Sequence, residues 1–377
     1  MPCPRFVFCA LCALLLCACA PQANLPVVDS SRVGDEARKQ QEMAMRDYMT
    51  KLERLDRVGW ALRSANVELC GDLLSYGLGM SFAAAGDFPK DYRPALASVV
   101  GVGDRVTVYQ VAPGSPARAA GIQPGDVLSS VEGRPVASKK EALAAMDKAL
   151  ATGAPLKLAL ERAGAPLEVG ITPARLCGHG LLLKQNPMVN AYADGENIVV
   201  YTGMMKFVQS DDELAAILGH ELAHNTMKHI GAKRGNALLG ALLFDLPIAI
   251  LTGVNPNVGG QIGANAYSQE FEAEADYAGL YFTARAGYSI QNVPDIWRRM
   301  AVENPGAITM GSSHPSTSAR YVGLEAAAAE IEQKRKAGLP LRPALKGEKQ
   351  QPEKPTQPAP SDALKESEII IPGVVPQ

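Results

Sequence analysis

The sequence has no excess of basic residues, few aromatic side chains and only five histidines. Lys and Arg number 37 against 39 Asp and Glu, which gives a net charge of −2 at pH 7. A chain without a basic surplus is a poor ligand for a polyanion, so nucleic acid is excluded as its main partner. Aromatic residues make up 6% of the chain, too few for a large β-sandwich. We therefore expect a helical or mixed protein, and the length leaves room for two domains at roughly 100–200 residues each.

The N-terminus lacks an apolar run long enough to cross a bilayer. Arg5 is followed by twelve apolar residues, Phe6–Cys17, whereas a spanning helix takes about 20. A basic residue near the N-terminus followed by roughly 7–15 apolar residues is typical of a signal peptide. Residues 1–18 are therefore predicted to be a signal peptide that the mature protein lacks.

The apolar run ends in Leu16-Cys17-Ala18-Cys19, which resembles a bacterial lipobox. The resemblance implies that Cys19 becomes an acylated N-terminus, whose lipid holds the protein to a membrane without crossing it. Ala20 is not the Asp that favours inner-membrane retention among lipoproteins, so the expected location is the periplasmic side of the outer membrane. The alternative is an ordinary secretory signal that is cut nearby.

Only two of the seven cysteines lie beyond residue 19. Cys70 and Cys177 would be an even pair in an oxidising compartment, which favours a disulfide. In the chain-entropy model, closing a loop of about 100 residues stabilises a fold by at most roughly 4–5 kcal/mol. The alternative is two unpaired buried thiols.

Composition divides the rest of the chain into five segments. Residues 19–34 contain Pro and Ser without periodicity, whereas apolar residues between Met45 and Leu62 recur at helical spacing. The last forty residues hold eight Pro and no aromatic residue, which is typical of a disordered tail. We predict a linker, an amphipathic helix packed against its own body, a β-rich domain, a catalytic domain and a tail, at residues 19–34, 35–65, 66–176, 177–337 and 338–377.

The β-rich segment follows a pattern of short elements separated by turns. A strand, a short helix, a longer helix and a hairpin are predicted in turn, at residues 105–111, 113–121, 138–150 and 155–172. The stretch between Gly114 and Leu128, Gly-Ser-Pro-Ala followed by Ala-Gly-Ile-Gln-Pro-Gly-Asp-Val-Leu, resembles the PDZ domains of bacterial periplasmic proteins. Such domains add a peptide strand beside an exposed sheet edge and hold its terminal carboxylate in backbone N–H groups.

The resemblance also implies a peptide groove. The Gly-Leu-Gly-Met stretch that begins at residue 77 resembles the Gly-rich loop in which PDZ domains hold the carboxylate, where the backbone must come close. The residues that would face the peptide are Leu78, Gly79 and Met80 in this loop, with Leu143 and Met146 on the helix. The alternative is a structural glycine loop.

Three of the five histidines fall within ten residues, in a stretch that contains the pattern His-Glu-x-x-His. The pattern points to a metal site only on a helix, and Ser210 with Glu213 forms a capping box ahead of apolar residues at helical spacing. Because residues four apart share a helix face, His220 and His224 can hold one zinc ion. Glu221 lies beside them, where its carboxylate can take a proton from the attacking water.

A catalytic zinc takes three protein ligands, so a third must come from elsewhere. His229 lies nine residues from His220, half a turn away on the same helix, and is expected to be structural. A second Pro-free stretch offers four acidic candidates for the third ligand, Glu270, Glu272, Glu274 and Asp276.

A family resemblance decides between these acids. The chain from about Cys177 to Leu324 resembles the HtpX-like and CAAX-prenyl-protease-like zinc metallopeptidases of peptidase family M48, which are gluzincins. These carry His-Glu-x-x-His on one helix and Ser-Arg-x-x-Glu-x-x-Ala-Asp on another. The resemblance implies that Glu272 is the third ligand of a single zinc and that Asp276 supports the site. Gln269 stands where the family has Arg, a departure that concerns a local salt bridge and not the metal.

Two further stretches resemble the same family. Residues 190–203 resemble the hairpin before the first zinc helix, whose edge, here at Asn190 and Ala191, pairs with extended substrate backbone. The His-Pro stretch from His314 to Arg320 resembles a loop near the active site of relatives. The resemblance implies that His314 polarises the scissile carbonyl or caps the zinc in a resting state.

The apolar segment 237–251 lies between the two zinc motifs, where several members of the family cross the membrane. Asp245 and Pro247 in its middle argue against a span. The remaining alternatives are a buried or membrane-touching helix pair and a lid over the cleft.

These features predict an α+β fold: a mainly helical gluzincin domain with a small edge sheet, joined to a PDZ domain built as a small β-barrel or sandwich with two helices. The implied function is a lipid-anchored endopeptidase with one zinc per chain, which hydrolyses misfolded or misassembled cell-envelope proteins and is regulated or directed by its PDZ domain. The expected partners are polypeptide substrates, peptide C-termini and the membrane. The alternative is a gated, mainly chaperone-like assembly factor for outer-membrane proteins.

Overall fold

The computed structural model describes residues 26–252, 257–258, 260–261, 268–303 and 318–345. The predicted signal peptide, the lipidation site at Cys19, His314 and most of the predicted tail lie outside the described residues. Within them the chain mixes helices and small sheets, and the predicted α+β class is confirmed.

The chain first forms a 36-residue helix, α1 (Ser30–Ala65). The helix begins five residues before the predicted start at residue 35, because the side chain of Asp29 accepts the backbone N–H of Ser31 and caps it there. Buried apolar residues recur along one face, and α1 packs against the body of the protein as predicted.

A β-rich unit follows. Its elements are β1 (Leu74–Gly77), β2 (Met80–Ala83), α2 (Arg93–Val100), β3 (Thr107–Val111), α3 (Pro116–Ala119), β4 (Val127–Val131), β5 (Arg134–Pro135), α4 (Lys139–Leu150), β6 (Leu156–Arg162) and β7 (Ala165–Ile171). The main sheet runs β2-β3-β4-β6-β7, with β5 attached to β4, and every pairing in it is antiparallel. Strand β2 therefore lies at one edge of this sheet.

Local turn and cap chemistry explains two of these elements. Ser138 caps α4 by accepting the backbone N–H of Glu141. The β6–β7 hairpin turns at Ala163 and Gly164, which both have positive φ, as a two-residue turn of this kind requires.

The helical unit comes last. Its elements are β8 (Ala174–Cys177), β9 (Gly180–Lys184), β10 (Ala191–Ala193), β11 (Asn197–Tyr201), α5 (Thr202–Phe207), α6 (Asp211–Thr226), α7 (His229–Gly240), α8 (Leu246–Thr252), α9 (Ser268–Arg285), α10 (Val293–Glu303) and α11 (Ser318–Lys336). A three-stranded sheet has the order β10-β11-β9, in which β11 is parallel to β9 and antiparallel to β10. Strand β10 is thus an edge strand beside α6.

Strands β1 and β8 pair with each other and not with the main sheet. Cys177 at the end of β8 forms a disulfide with Cys70, across 107 positions of sequence and with Cα atoms 5.5 Å apart. The resulting ribbon lies between the β-rich unit and the helical unit.

Helix α1 contributes to the packing of both units. Leu55, Val58 and Leu62 belong to the core of the helical unit. Nearer the start of the helix, Met45 and Met49 pack with residues of α2 and of the segment that follows it. Because one helix supplies side chains to both, the two units are packed together along α1.

The apolar segment between the two zinc motifs is helical. Among the described residues, one segment, His229–Thr252, is long and apolar enough to span a membrane by length and composition, with a mean hydropathy of 1.7. Of its apolar 18-residue window only 11% is buried, so the predicted alternative of a buried helix pair is wrong. Leu238, Phe244 and Leu251 are among its exposed apolar side chains.

A π-helical turn, Ala241–Asp245, joins α7 to α8. Pro247 follows it, and a residue without an N–H disturbs the regular helical ladder at this point. Asp245 is buried and accepts the backbone N–H groups of Val258 and Gly260, so its charge faces backbone donors.

Candidate active site

The His-Glu-x-x-His pattern lies on α6, a helix whose start is fixed by local chemistry. Ser210 caps it by accepting the backbone N–H of Glu213, and the Glu213 carboxylate accepts the N–H of Gln209 in return. Arg54 of α1 donates to Asp211 in the first turn at 2.8 Å. These contacts anchor the N-terminus of α6, where negative side chains are favoured by the helix dipole.

Helix α6 ends sooner than its sequence suggests. It stops at Thr226, and Lys228 adopts a left-handed conformation, with φ of 60°, before α7 starts at His229. The sequence predicted that His229 lies on the same helix as His220. In the structure His229 instead begins the next helix, α7. The turn brings the ring of His229 back against that of His224, with ring centroids 5.1 Å apart.

The second zinc-type motif lies on α9, which packs closely against α6. The contact is between Gly219 and Gly279: a Cβ at Gly279 would lie 2.8 Å from the backbone of His220, and one at Gly219 would lie 2.6 Å from the carbonyl oxygen of Gly279. Only residues without a side chain permit this approach. The approach brings Glu272 of α9 close to the two histidines of α6.

His220, His224 and Glu272 offer metal-ligand atoms that all lie within 4.8 Å of one another, and all three residues are buried. The two Nε2 atoms are 3.1 Å apart. Each Nε2 lies 3.4 Å from an oxygen of the Glu272 carboxylate. Two imidazole nitrogens and a carboxylate directed at one point form a donor set that suits zinc.

The two histidines titrate in opposite directions. Burial lowers the pKa of His224 to about 4, which keeps its ring neutral at pH 7. Burial also disfavours the charged form of His220, but hydrogen bonds to Asp276 and Glu272 outweigh it and raise the pKa to about 9. Glu221 is buried in the same site, and its negative charge raises the pKa of both rings.

Asp276 supports the site from α9. One of its oxygens lies 3.0 Å from Nδ1 of His220, the nitrogen that faces away from the other ligands. Burial favours the protonated form of Asp276, but hydrogen bonds from Arg320 outweigh burial and hold its pKa below the usual value. A carboxylate on the outer nitrogen fixes the orientation of a metal-binding imidazole and raises its basicity.

Arg320 of α11 closes the back of the site. It donates to both oxygens of Asp276, at 2.7 and 2.8 Å, and its third nitrogen lies 3.2 Å from Glu272. The guanidinium is buried, so one fixed cation pairs with two buried carboxylates and offsets part of their combined charge. Arg320 ends the His-Pro stretch that resembles the family, but nothing in the sequence predicted its contact with Asp276.

His229 supports His224 in a similar way. The Nδ1 atoms of the two rings are 3.0 Å apart, and Nε2 of His229 lies 3.0 Å from the carboxylate of Glu274. Glu274, a rejected candidate for the third ligand, therefore faces a histidine on the outer side of the site.

The predicted edge hairpin lies beside the site. Asn225, the residue after His224, accepts the N–H of Gly195 at 2.9 Å and donates to the carbonyl of Asn197 at 3.0 Å. These bonds tie the turn of the β10–β11 hairpin to the zinc-type helix. A cavity of about 600 Å³ opens there, lined by His224 and by residues of the hairpin turn and the start of α7.

Asn190 and Ala191, the predicted substrate-edge residues, lie at the start of β10. Asn190 accepts the N–H of Tyr201 through its carbonyl, and Ala191 is buried against the core. In the described residues β10 has a strand neighbour on one side only, β11.

The predicted carboxylate loop lies at the start of β2, far along the chain from the metal-ligand residues. Gly79 has φ of 71°, and a Cβ there would lie 2.2 Å from Ser115, so glycine is required. Leu78 is buried, and a second cavity of about 300 Å³ is lined by this loop and by Leu143 and Met146 of α4.

The comparisons with known proteins identify both units. Residues 178–328 match the model of peptidase family M48, and residues 77–172 match that of a PDZ domain. The chain carries an M48 peptidase domain and a PDZ domain. Both resemblances stated from the sequence are confirmed.

Named relatives align with part of the chain. The mitochondrial metalloendopeptidase OMA1 of Arabidopsis thaliana is 30% identical over 148 residues, which cover 37% of this chain and 30% of that relative. The putative beta-barrel assembly-enhancing protease of Vibrio cholerae is 32% identical over 129 residues, which cover 30% of this chain and 27% of the relative. The chain thus spans less than a third of the length of each of these two proteins.

Among solved structures, the HtrA3 PDZ domain bound to a phage-derived ligand is 28% identical to this chain. The alignment covers 28% of this chain and 91% of that domain, with a TM-score of 0.21.

The sequence predicted a structural role for His229 but not its position, and it assigned no contact to Arg320. His229 was expected on the same helix as His220, and only the left-handed Lys228 shows that the chain turns there. Arg320 lies 44 positions from Asp276, and no local pattern links two residues so far apart.

Proposed function

We propose that this protein is a zinc-dependent endopeptidase that hydrolyses peptide bonds of misfolded or misassembled cell-envelope proteins. The observation that carries the proposal is the buried donor set of His220, His224 and Glu272 within an M48 domain, with Glu221 beside it. The names of the relatives, metalloendopeptidase and assembly-enhancing protease, support the same activity.

Two histidines and a glutamate would hold one zinc ion and leave one position open, as catalytic zinc sites require. When bound, zinc acts as a Lewis acid that polarises a carbonyl and makes water a stronger nucleophile. Glu221 serves as the general base that takes the proton of the attacking water. Asp276 and Arg320 hold His220 and Glu272 in position for metal binding.

An extended substrate would add to the free edge of β10. Asn190 and Ala191 start that strand, which lies beside α6 and pairs only with β11 among the described strands. Backbone pairing at an edge accepts many sequences, which suits an enzyme that acts on unfolded chains.

The PDZ domain would select or regulate substrates through their C-termini. Leu78, Gly79 and Met80 would hold the terminal carboxylate, and Leu143 and Met146 would contact the peptide from α4. The cavity that these residues line supports this assignment.

The proposed location is the periplasmic side of the outer membrane, with the lipid on Cys19 as anchor after removal of residues 1–18. A disulfide between Cys70 and Cys177 is consistent with an oxidising compartment. We keep the proposed division into a linker, a helix, two domains and a tail, with domain limits at 66–176 and 177–337.

His314, outside the described residues, is proposed to polarise the scissile carbonyl or to cap the zinc at rest. Replacing His314 with Ala should change the rate of cleavage markedly in either case. A His314→Ala variant that cleaves at the wild-type rate would exclude both roles.

The test of the proposed function uses the purified chain with one equivalent of zinc and an unfolded model protein as substrate. Cleavage is followed on gels, with Glu221→Gln as the control that keeps the size and polarity of the side chain. We expect cleavage by the wild type and none by the variant, while both bind one zinc. Zinc binding without cleavage by either protein would contradict the proposal and favour the gated, chaperone-like alternative.

A further inference from the structure

The cavity beside the predicted carboxylate loop is not built by the PDZ domain alone. Its walls include the loop from Gly77 to Met80 and Leu150 on α4. They also include Trp60 and Arg63 of α1, a helix that lies outside the PDZ domain in sequence. A peptide held in this domain would therefore meet residues that no isolated PDZ domain contains.

The edge of β2 that faces this cavity is free to bind a strand. The N–H of Ala112 donates to the carbonyl of Gly79 at 2.8 Å, and Met80 lies opposite Val111. In an antiparallel ladder this makes Met80 and Val111 a pair without mutual hydrogen bonds, so the N–H of Met80 points away from β3. No other strand of the described residues pairs with β2 on that side.

Arg63 presents an incompletely satisfied cation to the cavity. Its Nε donates to the carbonyl of Cys177 at 2.9 Å, and this is its one hydrogen bond to the described residues. The guanidinium has five N–H donors, so its terminal nitrogens retain capacity for an anion. Burial lowers the pKa of Arg63 to about 10, partly offset by the charge of Asp56, and the group remains charged at pH 7. A half-buried cation of this kind gains from an anionic partner.

Much of the remaining wall is apolar, although Asp56, Ser81 and Gln110 also line the cavity. Trp60 packs against the loop, 3.2 Å from where a Cβ of Gly79 would lie, while Met146, Leu150 and Leu181 line other parts of the cavity. These surfaces suit an aliphatic or aromatic side chain. The cavity thus combines an apolar pocket, a strand edge and a cation.

We propose that Arg63 and Trp60 of α1 complete the peptide site of the PDZ domain, with Arg63 binding the terminal carboxylate of a polypeptide that ends in an apolar residue. This inference rests on the peptide-binding part of the proposed function and assigns the residue that recognises the charge of the chain end. The site exists only when α1 is packed in place, so peptide binding depends on the same helix that anchors α6 through Arg54 and Asp211.

Two carboxylates in the cavity wall, those of Asp56 and of Asp147 on α4, favour a chain end over an internal acidic segment. Asp56 accepts the hydroxyl of Ser81 at 2.7 Å and lines the cavity beside β2. Asp56 repels an acidic side chain upstream in a bound peptide, whereas at the chain end the attraction of Arg63 opposes that repulsion. We therefore expect a free α-carboxylate to be the ligand group, rather than the side chain of Asp or Glu.

The test measures the binding of fluorescein-labelled decapeptides by anisotropy. The probe is a pool with randomised internal positions and Val, Leu or Phe at the last position, made as free acids and as C-terminal amides. A third pool ends in Glu with an amidated C-terminus, which supplies a carboxylate from a side chain only. The protein is the full chain with Glu221→Gln, so that peptides are not cut.

The expected result is that free acids bind at least about tenfold more tightly than amides, the size of a charge-assisted hydrogen bond. Arg63→Met should abolish this preference, and Arg63→Lys should retain part of it because the charge stays but the paired geometry is lost. Arg46→Met is the matched control, since Arg46 is exposed on the same helix away from the cavity. It should leave the preference unchanged.

The inference would be overturned by equal affinity of the wild type for acids and amides, by no binding of acids up to 1 mM, or by a full preference in folded Arg63→Met. Tight binding of the Glu-amide pool would show that a side-chain carboxylate suffices and would also contradict it. If Arg63→Met fails to fold, the acid and amide comparison and Arg63→Lys decide.

Cleavage of an unfolded protein by chains that retain Glu221 separates this inference from the proposed function. Suppose that the preference for free acids depends on Arg63 but the chain cleaves no substrate. This result would contradict the endopeptidase activity and support the peptide site. Cleavage by a chain that shows no preference for free acids would support the endopeptidase and contradict the peptide site.

Discussion

Nδ1 of His229 lies 3.0 Å from Nδ1 of His224, and the other nitrogen of His229 lies 3.0 Å from the carboxylate of Glu274. If Nε2 of His224 binds a metal, its Nδ1 carries the proton and donates to His229. His229 in turn donates from Nε2 to Glu274, so one tautomer satisfies every nitrogen. The chain of contacts fixes the ring of a metal-binding residue from outside.

Removing this support should weaken metal binding. We expect His229→Ala to lower zinc affinity by about 10–100-fold, and Glu274→Gln by less, because an amide oxygen can still accept the bond. Affinity is measured by competition with a chromophoric chelator. Glu270→Gln is the control, since Glu270 is an exposed acid on the same helix. Unchanged affinity in His229→Ala would show that the ring only fills space.

The close approach of α6 and α9 gives a second prediction. In Gly279→Ala the new Cβ would lie 2.8 Å from backbone atoms of His220, which cannot move without moving the helix. We expect a loss of about 1–3 kcal/mol in the free energy of unfolding and a weaker zinc site, because Glu272 is carried away from the histidines.

Gly323→Ala is the matched control for this substitution. Gly323 also lies inside a helix, α11, and a Cβ there meets nothing within 4 Å. The change should stabilise the protein by about 0.5–1 kcal/mol, the ordinary gain of Ala over Gly in a helix. Chemical denaturation compares the two variants, and equal effects would show that the helix contact is not tight.

Arg320 is expected to be essential for the structure of the site. Arg320→Met leaves the buried carboxylates of Asp276 and Glu272 without their cation, and breaking a buried ion pair from one side costs about 3–5 kcal/mol. Denaturant unfolding of the zinc-free protein measures this loss independently of metal. Arg320→Lys should recover part of it, since a single ammonium cannot bond both oxygens of Asp276 as the guanidinium does. A fully stable Arg320→Met would contradict the assigned pairing.

The disulfide gives a prediction about stability alone. Replacing Cys70 and Cys177 with Ser releases a link across 107 positions, and the chain-entropy model assigns such a loop at most about 4–5 kcal/mol. We expect a lower unfolding midpoint, with zinc affinity unchanged in the folded protein. Reductant should lower the midpoint of the wild type but not that of the double variant, and an insensitive wild type would contradict the role of the bond.

Local chemistry in the sequence was enough to predict several elements and part of the site. The cap at Ser210 and the spacing of His220 and His224 predict a helix with both rings on one face, and the structure has that arrangement. The turn at Ala163 and Gly164 likewise follows from the need for positive φ in a two-residue hairpin. Each of these features depends on neighbours within a few residues.

Features that depend on contacts between distant residues could not be predicted in the same way. The choice of Glu272 among four acids came from a family resemblance, because spacing alone left all four open. The structure brings Glu272 to the histidines through the contact of Gly219 and Gly279, which lie 60 positions apart on different helices. The apolar segment after His229 shows the same limit: composition allowed burial, whereas the packing leaves it exposed.

The sequence by itself determined the kinds of residue available to this protein: a pair of histidines with a glutamate between them, a Gly-rich loop, and two cysteines in the body of the chain. Those identities follow from residue chemistry and short spacings. Tertiary structure decided which distant residues come into contact. It pairs Arg320 with Asp276 and brings the ring of His229 against that of His224. It also places Arg63 of α1 in the wall of the PDZ cavity. The physical reason is that hydrogen bonds and ion pairs form between neighbours in space, and only the folded packing of helices makes residues distant in sequence into neighbours.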